Sequence, residues 1–169
     1  MPLAQIHRLF RRAAQQAALC AMVVLVGLVC TAPAWSQERD LAEAMKLSEQ
    51  LRSQGKPEQA VSFAEAALEI GKGMFSAEDP NVAVLLDNLG SLYKAQNKFA
   101  EAECYYEQAL SIREKTLGSN HPDVASSLNG LAVLYHVQGK YFSAEFLYKR
   151  ALKVIETALG TGGIKLVII

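Results

Sequence analysis

The chain has 169 residues, 51% of them hydrophobic and 20% charged, a balance that builds a folded body and excludes a disordered polymer. Seventeen basic and seventeen acidic side chains cancel overall. Three of the basic ones (Arg8, Arg11, Arg12) and no acid fall in residues 1–34, so the remainder carries a net charge of −3, which excludes the strong basic excess of a nucleic-acid footprint.

At the amino terminus, His7, Arg8, Arg11 and Arg12 lead into the apolar run Ala17 to Cys30, then into Thr31-Ala32-Pro33-Ala34-Trp35-Ser36-Gln37. A basic end, an apolar middle and small residues at a cut are the order of a secretory signal peptide. Cleavage needs small side chains at the first and third positions before the cut, and Ala32 with Ala34, or Ala34 with Ser36, supplies them. Residues 1–34 are therefore expected to direct export and be removed. An uncleaved membrane anchor is the rival, but the apolar part is shorter than the ~20 residues a span needs, and Pro33 interrupts it. A lipoprotein would need a small residue before its cysteine, whereas Val29 precedes Cys30 and Leu19 precedes Cys20. Export leaves Cys104 as the single cysteine, so no internal disulfide is expected.

Beyond the leader the chain repeats itself. Asp79 to Gly118 set against His121 to Gly160, a step of 42 residues, gives 17 identities in 40 positions without a gap. They include Pro80/Pro122, Leu89/Leu131, Tyr93/Tyr135, Lys98/Lys140, Ala102/Ala144, Tyr106/Tyr148 and Gly118/Gly160. One further step back, Leu47, Gln54, Lys56, Ala60, Glu65, Ala67, Leu68 and Ile70 match the middle unit, while Leu51 and Ala64 replace its aromatic residues. The units are about 39–78, 79–120 and 121–160, the first of them worn.

Each unit reads as two antiparallel helices. In the middle one, Val82, Leu85, Leu86, Leu89, Leu92, Tyr93 and Gln96 form one helical stripe, and Phe99, Ala102, Tyr106, Ala109, Leu110 and Arg113 a second. Asn97-Lys98, Gly139-Lys140 and Gly55-Lys56 punctuate the stripes with residues that tolerate the left-handed turn closing a helix. Pro80 and Pro122 suit a first helical turn, Gly118 and Gly160 end the second helices, and Gly71 and Gly73 predict an earlier stop in the first unit. Small Ala60, Ala67, Ala102, Ala109, Ala144 and Ala151 allow close approach, and Tyr93, Tyr106, Tyr135 and Tyr148 are expected to fill the wider gaps.

Leu89-Gly90-x-x-Tyr93 with Ala102-x-x-x-Tyr106-x-x-Ala109, and Leu131-Ala132-x-x-Tyr135 with Ala144-x-x-x-Tyr148-x-x-Ala151, resemble the tetratricopeptide signature. The 42-residue period, Asn-His-Pro-Asp-Val-Ala at 120–125 and Leu-Tyr-Lys-Arg-Ala-Leu at 147–152 are similar to the longer repeats of kinesin light chain. The resemblance covers residues 39–160. It implies an all-α superhelix, a solenoid of about three helical hairpins following the signal peptide. Its first helices would line a concave groove that holds a peptide or protein partner, and no cofactor. In an exported chain this points to periplasmic or secreted work, with a bacterial envelope as the expected setting.

The resemblance places groove positions at Ala42, Met45, Glu49, Arg52 and Ser53, then at Val84, Asp87, Ser91, Lys94 and Ala95, then at Ser126, Asn129, Val133, His136 and Val137. Arg52, Lys94 and His136 stand one period apart and would form a ladder of donors for an acidic or carboxylate-bearing segment. A solvated cation favoured by the dipole at each helix end is the plainer account of the same column. Asn129 could bond a guest backbone, though its mates are Asp87 and Met45.

No chemistry of a catalyst stands out. His121 and His136 have no carboxylate at ligand spacing, and no phosphate loop, activated serine pattern or Cys-x-x-Cys is present. His121 is expected to cap or pack before Pro122. Glu101, Glu103, Glu107 and Glu114 read as a wet helix face. Cys104 reads as a partly buried packing residue. Residues 161–169 break the pattern as an irregular apolar tail, with strand propensity and a single charge. The expected role is a non-catalytic scaffold for protein–protein interaction. The alternatives are the recognition arm of a larger enzyme or signalling protein, and a structural protein that self-associates through its uncapped carboxyl end.

Overall fold

The computed structural model describes residues 34–159, with side chains from residue 36 onward. The expected signal peptide, save Ala34, and the 161–169 tail lie outside the described residues. Six helices follow one another: α1 (Ala34–Ser53), α2 (Pro57–Met74), α3 (Pro80–Ala95), α4 (Phe99–Leu117), α5 (Pro122–Val137) and α6 (Tyr141–Leu159). No strand occurs among the described residues.

Local chemistry sets these boundaries. Pro57, Pro80 and Pro122 occupy the first turns of α2, α3 and α5, where a missing N–H costs nothing. The Asp79 carboxylate accepts the N–H of Asn81 at 2.8 Å, and Nδ1 of His121 accepts that of Asp123 at 3.2 Å, so His121 is a cap. The hairpin turns pass through Gly55, Asn97 and Gly139 at φ of 70°, 59° and 74°. Gly and Asn are the residues for which that region is cheap. The following lysine amide then reaches back six residues' span to the helix it leaves: Lys56 to Leu51, Lys98 to Tyr93 and Lys140 to Tyr135, at 3.0, 3.0 and 2.9 Å. In the second and third units the lysine ammonium also sits over the tyrosine ring, 5.6 and 5.1 Å from its centre.

Gly118, at φ 85°, ends α4 as the sequence predicts. Gly71 and Gly73 do not end α2, which runs through both to Met74. The reason lies across the seam: a Cβ on Gly71 would stand 2.4 Å from Cδ1 of Leu85, so the glycine is there for close approach.

The hairpins α1–α2, α3–α4 and α5–α6 stack, with α2 against α3 and α4 against α5. The first helices α3 and α5 also touch each other directly, which puts them on the inner side of the curve. Leu89, Leu92, Leu128 and Leu134 are fully buried. Each contributes on the order of 2 kcal/mol by leaving water, and only stacking buries them all.

The four tyrosines behave differently from one another. Tyr106, 2% exposed, fills the seam between the second and third units, while Tyr93 and Tyr135 are half-buried. Tyr148, expected to fill a gap in the same way, is 38% exposed. Among the described residues no helix covers the outer face of α6, which turns Tyr141, Tyr148, Leu152 and Leu159 to solvent. Cys104 is exposed rather than partly buried, because the second helices turn that column outward; Nε2 of Gln108 meets its Sγ at 3.1 Å. The wet-face glutamates are partly engaged, since Glu103 accepts the Tyr135 hydroxyl and Glu114 pairs with Arg150. That bond, ahead of burial, pushes the Tyr135 phenol up to about 12.

Candidate functional site

The inner wall begins with Arg52, near the end of α1. Its Nε donates to Glu49 at 2.8 Å, an exposed pair of the i,i+3 kind that adds little stability. That bond holds the Glu49 carboxyl below its ordinary value, with partial burial opposing. Lys94, at the equivalent position of α3, is half-buried, and its ammonium is pushed down by burial first and by the Arg52 charge second. Two cations therefore stand close enough on one wall to repel each other. A guest carboxylate between them would relieve that repulsion.

Beside Arg52 a cavity of about 130 Å³ opens between α1, α2 and α3. Met45, Ser48, Glu49 and Arg52 of α1 line it, together with Ala64 and Ala67 of α2 and Leu85, Asn88, Ser91 and Leu92 of α3. Of the sequence-derived groove residues, the structure gathers Met45, Glu49, Arg52 and Ser91 here. Ser91 is already engaged: its hydroxyl lies 2.9 Å from that of Tyr106.

The other groove positions are placed differently. Asp87 faces the seam between the second and third units, where its Oδ2 accepts from Nη1 of Arg113, which also donates to Ser127. Arg113 is buried, with a side chain 7% exposed. Oδ1 of Asp87 is buried with no hydrogen-bond partner among the described residues. Burial raises the Asp87 pKa above its ordinary value, and Arg113 works against that rise. Asp87 is therefore a tie between units more than a free groove side chain. Asn129 is exposed on α5 and Val133 half-buried. His136 continues the column but not the cluster. Its ring meets Tyr141 edge-on at 5.3 Å, and it lines a separate open depression of about 400 Å³ with Ala144, Tyr148 and Leu152 of α6.

The sequence reading missed Ser48 and Asn88 as cavity walls. The available signal was Ala64, an alanine standing in a column of tyrosines. Among the described residues no group of three His, Cys, Asp or Glu side chains comes together to hold a metal, and no helix is long and apolar enough to cross a membrane.

Comparison with known proteins agrees with this architecture. The family model described as tetratricopeptide repeat matches residues 40–115 and 105–157. No curated protein matches the chain by sequence. Among solved structures, BtubC (BKLC) from P. vanneervenii is similar at 30% identity and a TM-score of 0.63, over 69% of this chain and 46% of that one. A putative kinesin light chain from Podosopora anserina with nearly identical TPR-like repeats is similar at 25% identity and a TM-score of 0.63, over 72% of this chain and 58% of that one. The TPR domain of Arabidopsis FLU shares the fold, at 21% identity and a TM-score of 0.61, over 72% of this chain and 98% of that domain. The chain thus spans about half the length of the first two. With the family model matched over most of the helical body and three stacked helix pairs in place, the chain belongs to the tetratricopeptide repeat family.

Proposed function

We propose that the protein is a non-catalytic scaffold that holds a segment of a partner polypeptide, one bearing carboxylates, along the inner face of its first helices. Membership of a repeat family built for protein–protein contact supports the scaffold role. The observation that carries the acidic guest is the Arg52–Lys94 pair, two neighbouring cations of which Lys94 is held below its ordinary pKa by burial and by the Arg52 charge. Glu49 pairs with Arg52 and offsets part of that charge. His136 extends the same column toward α6 without joining the pair.

The setting proposed is outside the cytoplasm, on the strength of the signal-like residues 1–34. Mass spectrometry of the mature amino terminus tests that directly: a chain beginning after Ala34 or Ser36 is expected, and an intact Met1 terminus overturns it. The scaffold role is tested by capturing partners from an envelope extract with the mature chain and with an Arg52→Glu/Lys94→Glu variant. The variant should lose the captured protein while keeping its helicity. Undiminished capture removes the two cations from the binding surface.

A further inference from the structure

In the second unit, the ring of Tyr106 packs against two glycines. Cβ atoms built on Gly90 and Gly130 would stand 3.0 and 2.9 Å from its atoms, and the Tyr106 hydroxyl meets Ser91 at 2.9 Å. One 42-residue period earlier, these four positions are Ala64, Ser48, Asn88 and Glu49. All four line the cavity of about 130 Å³ beside Arg52. The cavity is thus the berth of a tyrosine ring that the first unit does not possess. Ser48 and Asn88 narrow its sides without closing it.

We propose that this cavity is a binding site for a phenol ring, the tyrosine side chain of a guest polypeptide entering from the inner face. This rests on the groove reading above and adds the class of side chain that anchors there. The volume is close to the ~150 Å³ cavity known to admit a benzene ring. The walls are mixed, with Met45, Leu85 and Leu92 on the apolar side and Glu49 where Ser91 receives the phenol in the next unit. Glu49 already accepts from Arg52 at both oxygens but keeps lone pairs to spare, so a phenol O–H adds a hydrogen bond there that a plain apolar ring cannot. Rigid aromatic anchors set in pockets supply much of the energy at protein interfaces, so one ring here would fix the register of the guest.

The test uses p-cresol and toluene as probes of the folded chain, followed by ligand-observed NMR. Saturable p-cresol binding, preferred over toluene, is expected. Rebuilding the second unit's set with Ser48→Gly/Ala64→Tyr/Asn88→Gly should fill the berth from within and weaken p-cresol by at least about tenfold at unchanged helicity. Should that variant fail to fold, Ala64→Leu fills part of the space and must also weaken the probe. Glu49→Leu should erase the preference for p-cresol over toluene. No saturation, or equal p-cresol binding by the parent and a filled variant, overturns the proposal. The probe assay needs no partner, so failure here is distinguishable from failure of the Arg52→Glu/Lys94→Glu capture, which tests the groove itself.

Discussion

Gly130 on α5 and Tyr106 on α4 meet so closely that a Cβ on the glycine would stand 2.9 Å from Cε1 of the ring. Gly90 meets the same ring as tightly, its Cβ position 3.0 Å from Cδ1 and Cε1. Gly130→Ala gains helix propensity of up to about 1 kcal/mol but overpacks the seam at a cost of about 1–3 kcal/mol. A net loss in urea unfolding is expected. It should vanish in a Tyr106→Ala background, where the gain in propensity remains and the clash does not. A loss that persists there would mean the seam is not what limits residue 130.

The Asp87–Arg113–Ser127 network ties α3, α4 and α5 through a buried guanidinium. Arg113→Met leaves the Asp87 carboxylate buried without its cation and should cost about 3 kcal/mol near neutral pH. Burial already raises the folded-state pKa of Asp87, and losing the cation raises it further. The folded state then holds that proton more tightly than the unfolded chain does, so the deficit should shrink as pH falls through the folded pKa. The third unit carries Asn129 and Ile155 at the equivalent positions. An Asp87→Asn/Arg113→Ile double variant should accordingly be more stable than the sum of its single changes allows. Strict additivity in a double-mutant cycle would argue that the two groups do not interact.

Lys94 offers a direct reading of the inner wall. With ¹³C-methylated lysines, its amine should titrate below its ordinary value of 10.5, from burial and from Arg52. Arg52→Gln should move it part of the way back, because burial remains. No movement would place the two charges out of each other's reach.

The exposed residues of α6 should tolerate change that the seam does not. Tyr106→Ala empties a packed site and is expected to cost about 3–5 kcal/mol. Tyr148→Ala, at 38% exposure, should cost well under half of that. Phe142 and Phe146 are 87% and 66% exposed, and serine at either should alter stability by no more than about 0.5 kcal/mol. Comparable losses at Tyr106 and Tyr148 would mean that something covers α6 in solution.

Much of this fold was legible because the repeat prints the same punctuation three times. Pro80 and Pro122, the Asn97 and Gly139 turns and the small alanine columns each have a local cause that pattern alone exposes. What escaped was relational. Gly71 looked like a helix stop, although its reason is Leu85 in the next hairpin. Asp87 shared a column with Met45 and Asn129, and nothing along the chain revealed that Arg113 would claim it. The column of Arg52, Lys94 and His136 was plain, but only the first two affect each other, while His136 turns to Tyr141. The cavity was legible in principle, since a hole follows from alanine where the next unit has tyrosine. It requires reading an absence in one copy against the packing of another.

The two end helices differ in a way that gives the array a direction. On α1, Glu43, Lys46 and Gln50 lie on one side and are exposed to water, whereas α6 presents Tyr141, Leu152 and Leu159. A hairpin gained by gene duplication would bury charge if inserted ahead of α1, but would find a greasy berth already waiting behind α6.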